Sequence, residues 1–93
     1  MEHRFLVHDD VDDVGVAVAD VQGGEEVEAA FMKSGNRLRL EVIEAVPLGH
    51  KVALRDLDEG SDVMKYGAPI GRTTSSVRAG EYVHTHNLRS ARW

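Results

Sequence analysis

A short pattern recurs along this chain. Val16-Ala17-Val18-Ala19-Asp20-Val21, followed by Gly24 and Val27, returns thirty-six residues later as Val52-Ala53-Leu54-Arg55-Asp56-Leu57, followed by Gly60 and Val63. Val77, Gly80 and Val83 form a shorter third copy. The shared unit is apolar-x-x-Gly-x-x-Val. Glycine accepts backbone turns that other residues resist, and valine favours the strand that follows. A chain built this way folds as short strands joined by tight turns. The expected class is all-β, a small clip or barrel.

The rest of the chain agrees. Phe5-Leu6-Val7-His8 is a short strand candidate, and 14–21 is a β-branched run that reads as a buried strand. Segment 27–32 fits strand or helix. Arg37-Leu38-Arg39-Leu40-Glu41-Val42-Ile43 alternates charged and apolar residues, as a half-buried strand does. Further strands are expected at 52–55, 63–66 and 70–74, and a last one at Val83-His84-Thr85-His86, with turns at 22–26, 34–36, 47–51, 56–60 and 67–69. Four aspartates lie within 9–13. The ligand spacing and turn glycine of an EF-hand loop are missing there, so the segment reads as a solvated acidic turn.

Ninety-three residues are expected to make a single domain, 1–93. A net charge of −5 argues against nucleic acid as the main partner, because phosphate backbones call for a basic surface. No cysteine is present, which removes disulfides, thiolate nucleophiles and cysteine-based zinc sites. The N-terminal residues lack a signal-peptide core, and the longest apolar run, 14–19, is too short to span a membrane. A cytoplasmic location is expected.

Residues able to do chemistry fall into three clusters. The first is His50-Lys51, the second Lys65-Tyr66-Gly67 with Gly71-Arg72, the third His84, His86 and Asn87. If 82–86 is a strand, Tyr82, His84 and His86 share one face, and the two imidazoles stand about 7 Å apart at Cα. That spacing suits one metal ion or one anion, although exposed strand positions also tolerate histidine for no functional reason. Cations gathered in an acidic protein suit a carboxylate or sulfonate ligand. Taken singly, Lys51 and Lys65 read equally well as solvated strand ends.

Gly49-His50-Lys51-Val52-Ala53-Leu54, then Lys65-Tyr66-Gly67-x-x-Ile70-Gly71, then Ala79-Gly80-Glu81-x-Val83-His84-Thr85-His86-Asn87 resemble the N-terminal domain of the altronate and galactarate dehydratases. The resemblance runs through most of the chain, most closely from Pro47 to Leu88. In the sulfolactate sulfo-lyases the same unit forms a separate small subunit. The resemblance implies a β-clip fold of the SAF, or antifreeze-like, type. It implies a lyase activity, β-elimination from sulfolactate or a sugar acid, aided by Fe2+ or another divalent ion held by this chain or mainly by a partner. The dehydratases carry a much larger catalytic domain after this one. A chain of this size is therefore expected to be a small subunit that needs a large catalytic partner and is inactive alone.

Elimination needs a base for the proton α to the carboxylate, charge stabilisation for the enolate, and acid assistance to the leaving group. On this reading His84 and His86 bind metal or the substrate carboxylate and, with His50, are the catalytic candidates, since imidazole titrates near neutral pH. Lys51, Lys65 and Arg72 neutralise substrate charge, and Tyr66 and Asn87 hydrogen-bond its hydroxyls. Sulfolactate would give pyruvate and bisulfite. Two other readings stand beside this one: an altronate-type dehydratase subunit, and a non-catalytic carbohydrate- or anion-binding module. Trp93 with Arg89 and Arg92 either docks a partner or forms an exposed tail.

Overall fold

The computed structural model describes residues 3–90. Nine strands are present and no helix among the described residues, so nothing helical there could cross a membrane. They are β1 (His3–Val7), β2 (Val14–Ala17), β3 (Glu26–Phe31), β4 (Arg37–Glu41), β5 (Lys51–Ala53), β6 (Asp62–Lys65), β7 (Ala68–Thr73), β8 (Tyr82–Val83) and β9 (Leu88–Ser90). A six-stranded sheet has the order β4-β3-β1-β2-β5-β8, and a three-stranded sheet the order β6-β7-β9. Among the described strands only β1 and β3 pair in parallel. The ambiguous segment 27–32 resolves as strand.

The repeat explains the architecture, and it has four copies rather than three. Segments 21–27, 46–52, 57–63 and 77–83 all read apolar-x-x-Gly-x-x-Val. The extra copy contains Pro47 and breaks the thirty-six-residue offset, which hid it. Each is a turn closed by an i+3 N–H: Glu25 to Gln22, His50 to Pro47, Ser61 to Asp58, Glu81 to Arg78. The glycines sit third in these turns at φ between 80° and 90°, the position at which a type II turn requires positive φ. The first residues pair across the molecule, Val21 with Val46 and Leu57 with Val77.

Each turn also grips the strand leading to its partner. The Gly24 N–H donates to Val42 and the Gly49 N–H to Ala17. In the second pair, Gly60 donates to Thr73 and Gly80 to Ala53. Every acceptor lies four residues before the partner motif, and its own N–H returns to the carbonyl just after the gripping glycine. Two reciprocal clasps result. The repeated aspartates reinforce them, since Asp20 Oδ1 accepts from Leu48 N–H and Asp56 Oδ1 from Ala79 N–H, both at 2.8 Å. The apolar ends of all four motifs are buried. Val21, Val27, Val46 and Val52 join Phe5, Val7, Ala29 and Val42 in one cluster, while Leu57, Val63, Val77 and Val83 join Val14 and Ala53 in another.

Two sequence expectations fail here. The segment 9–13 is not simply a solvated acidic turn, because Asp12 and Asp13 are buried at 7% and 2% exposure. Asp13 accepts from Met64 N–H at 2.8 Å and from the Arg55 guanidinium, and the chain's own N–H and C=O groups satisfy what the core would otherwise leave unpaired. The final strand stops at Val83, and 84–87 is a turn. Buried Asn87 causes this: its Oδ1 accepts from His84 N–H and its Nδ2 donates to Tyr82 C=O, which bends the chain away from the β5 ladder.

A Cβ on Gly80 would lie 2.0 Å from the Glu41 carbonyl oxygen, whereas one on Gly60 meets nothing within 4 Å, although both residues have positive φ. Gly60→Ala should therefore cost about 1–2 kcal/mol, the penalty of a left-handed L-residue. Gly80→Ala should cost more than about 4 kcal/mol or prevent folding, because backbone must move. Urea unfolding of the two variants checks the difference, and equal losses would contradict the clasp geometry.

Candidate functional site

A cleft of about 660 Å3 opens between the end of the six-stranded sheet and the three-stranded sheet. Three elements and one turn build it. Lys51 begins β5, paired to Val16 on one side and Val83 on the other. Its neighbour Val52 points into the core, so strand alternation sends Lys51 to the opposite face. The β6–β7 hairpin contributes Lys65, Tyr66 and Ile70, with Thr74 just beyond. The turn after β8 contributes His84 and Thr85, and β9 contributes Leu88, Arg89 and Ser90. Among the described residues no aspartate or glutamate lines the cleft, in a protein of net charge −5.

The electrostatics follow. Burial holds the Lys51 amine below the ordinary lysine range, and the charge of Lys65 pushes it the same way. Lys65 Nζ lies 3.9 Å from the centre of the Tyr66 ring, a cation–π contact at the mouth of the cleft. Tyr66 in turn stacks on His8, centroids 4.1 Å apart. With cations on three strands and no aspartate or glutamate among the described lining residues, the cleft is suited to a small anion.

Behind His84 lies a second group centred on Tyr82. Its hydroxyl shares a 2.5 Å hydrogen bond with His50 Nδ1. Its ring lies nearly parallel to that of His84, 5.5 Å away, and 5.7 Å from that of His86. His50 and His84 are 5.1 Å apart between ring centres. The histidines that meet are thus His50 and His84, brought together across the β5–β8 pair.

The expected site residues therefore separate. Lys51, Lys65, Tyr66 and His84 line one cleft, while His50 and His86 stand against Tyr82 beside it. Arg72 does not line the cleft; it is exposed on β7, where its Nε binds Asp62 at 3.0 Å. Asn87 is buried with both amide ends bonded to the backbone, so its role here is to shape the turn. His84 and His86 do not stand on one strand face, since 84–87 is a turn, and the described residues bring no three His, Asp or Glu side chains together as a metal site. Of the tail residues, Arg89 lines the cleft, while Arg92 and Trp93 lie outside the described residues.

Sequence reasoning missed Arg89 as a cleft residue because Leu88-Arg89-Ser90 is too short a strand to declare itself. It also missed Tyr82 as the hub of the histidines, although the residue was placed beside them.

Comparison with known proteins fits this geometry. The family model of the altronate/galactarate dehydratase SAF domain matches residues 3–91. The chain is 46% identical over 94 aligned positions to (2R)-sulfolactate sulfo-lyase subunit alpha of Chromohalobacter salexigens, covering the whole of both chains. It is 44% identical over 55 residues to the protein of that name from Paracoccus pantotrophus, covering 59% of this chain and 82% of that one. Altronate dehydratase of Escherichia coli is 40% identical over 80 residues, which cover 86% of this chain and 15% of the dehydratase. With its model match across nearly the whole length and its all-β clasped fold, the chain belongs to the SAF-domain family of the altronate and galactarate dehydratases.

Proposed function

We propose that this chain is the small subunit of a heteromeric lyase that acts on (2R)-sulfolactate, releasing bisulfite and leaving pyruvate. The observation that carries the reading is the end-to-end match to a protein named as the alpha subunit of that lyase, since both chains are covered completely. The dehydratase match extends over only 15% of its counterpart. A cleft with Lys51, Lys65 and Arg89 on its walls, and no aspartate or glutamate among its described lining residues, supports a doubly charged acid as the ligand.

In the elimination a base takes the proton at C2, the electron pair forms the C2–C3 double bond, and the C3–S bond breaks with its pair leaving as sulfite. The enol then tautomerises to pyruvate. Lys51, Lys65 and Arg89 hold the carboxylate and sulfonate charges and stabilise the charge that develops on the carboxylate side. His84, on the cleft wall, is placed to move a proton, with His50 and Tyr82 behind it. The family's divalent ion would act as a Lewis acid toward the enolate. Among the described residues no three His, Asp or Glu side chains come together, and we place the ion on the large partner.

The deciding experiment is to co-purify the tagged chain with its large partner and assay the complex with ferrous iron on both acids. Sulfite release from (2R)-sulfolactate is expected. A 2-keto-3-deoxy acid from altronate instead would make the chain a dehydratase subunit, and turnover of neither would sink the lyase assignment.

The isolated chain titrated with Fe2+ should show no stoichiometric binding, while the complex binds the ion. Tight one-to-one binding to the isolated chain would return the metal to this subunit.

The depressed Lys51 pKa gives a pH signature. A bound dianion favours the charged amine, so affinity is constant below that pKa and falls as pH rises through it. Lys65→Met removes the second cause of the depression and should move the fall to higher pH. Calorimetric titration with sulfolactate across the alkaline range checks this, and an unmoved fall would assign it to another group.

A further inference from the structure

Tyr66 is the one residue other than glycine with positive φ among the described residues, at 57°. It and Gly67, at φ 72°, are the two central residues of the hairpin joining Lys65 to Ala68. Positive φ at both positions is the mark of a type I′ turn, where Asn-Gly is the favoured pair and a bulky aromatic is disfavoured. Nothing in the core asks for this ring, which is 62% exposed. Its conformation is held from below. Asp12, buried, accepts from Tyr66 N–H and Gly67 N–H at 2.9 Å each, and from Asp9 N–H at 3.1 Å.

Resting on the lyase reading of the cleft, we infer that Asp12 is a positioning residue for it. Its carboxylate forces the 66–67 turn into a strained shape, and that shape sets the Tyr66 ring and the Lys65 amine at the mouth. The strain is retained because the ring's place is functional. Asp12 lies fifty-four residues from the turn it holds and reaches it through the Tyr66 and Gly67 N–H groups, so its effect passes through the backbone.

Three variants test this in the chain and in its complex with the large partner. Tyr66→Asn fits the turn and should raise Tm by a few degrees, while KM for sulfolactate rises about tenfold or more. Asp12→Asn leaves three N–H donors sharing one acceptor oxygen; it should lower Tm and raise KM with a smaller change in kcat. The double variant should recover Tm without recovering KM, a split that a merely structural role would not give. Independently of any substrate, Asp12→Asn should abolish the ring-current shifts that Tyr66 imposes on His8 and on the Lys65 side chain. Unchanged ring-current shifts, an unchanged KM in Asp12→Asn, or a lower Tm in Tyr66→Asn would each overturn the inference. A wild-type complex inactive on both acids overturns the lyase reading instead, and the ring-current shifts and Tm then decide this one.

Discussion

The fold depends on four glycine N–H groups. Each is turned outward by a positive φ and donates to a carbonyl on the strand leading to its partner motif. A side chain at these positions would strain the backbone, and at Gly80 it would also strike the Glu41 carbonyl. Because the grips are reciprocal, neither half of a clasp is satisfied without the other. This lets a chain with strands as short as two residues form ordered sheets, which isolated short hairpins do poorly. The valines around the glycines then need only fill space, and they are small and stiff enough to do so at low entropic cost.

Much of this was legible in sequence. Glycine and valine spacing announces turn and strand together, and the aspartate before the apolar residue recurs because it caps the partner turn. What escaped did so for definite reasons. The copy at 46–52 contains a proline, which fits a turn yet spoils the visual repeat. The segment after Val83 reads as alternating strand, but Asn87 offers both ends of its amide to the local backbone and wins over the ladder. Asp12 and Asp13 look solvated beside Asp9 and Asp10, since charge alone does not show that the N–H donors of Met64, Tyr66 and Gly67 lie waiting fifty residues away.

The cleft shows a similar division. Lys51, Lys65, Tyr66 and His84 were readable as a group because motif and charge coincide in them. Their arrangement was not, because it depends on how two sheets meet. The meeting puts Arg89 among them and turns Arg72 away, though both are arginines on short strands near the same hairpin. It also sets Tyr82 between three imidazoles, where its hydroxyl fixes one ring and its face lies along another.

The distance in sequence between Asp12 and the turn it supports carries a consequence for synthesis. The chain leaves the ribosome from its N-terminus, so Asp12 emerges with its acceptor oxygens exposed long before Tyr66 and Gly67 exist. The wall formed by β9 comes later still. The cleft is thus the last part of the described chain that can form: a nascent chain that has already buried its first clasp still lacks Lys65, Tyr66 and Arg89 on the cleft walls.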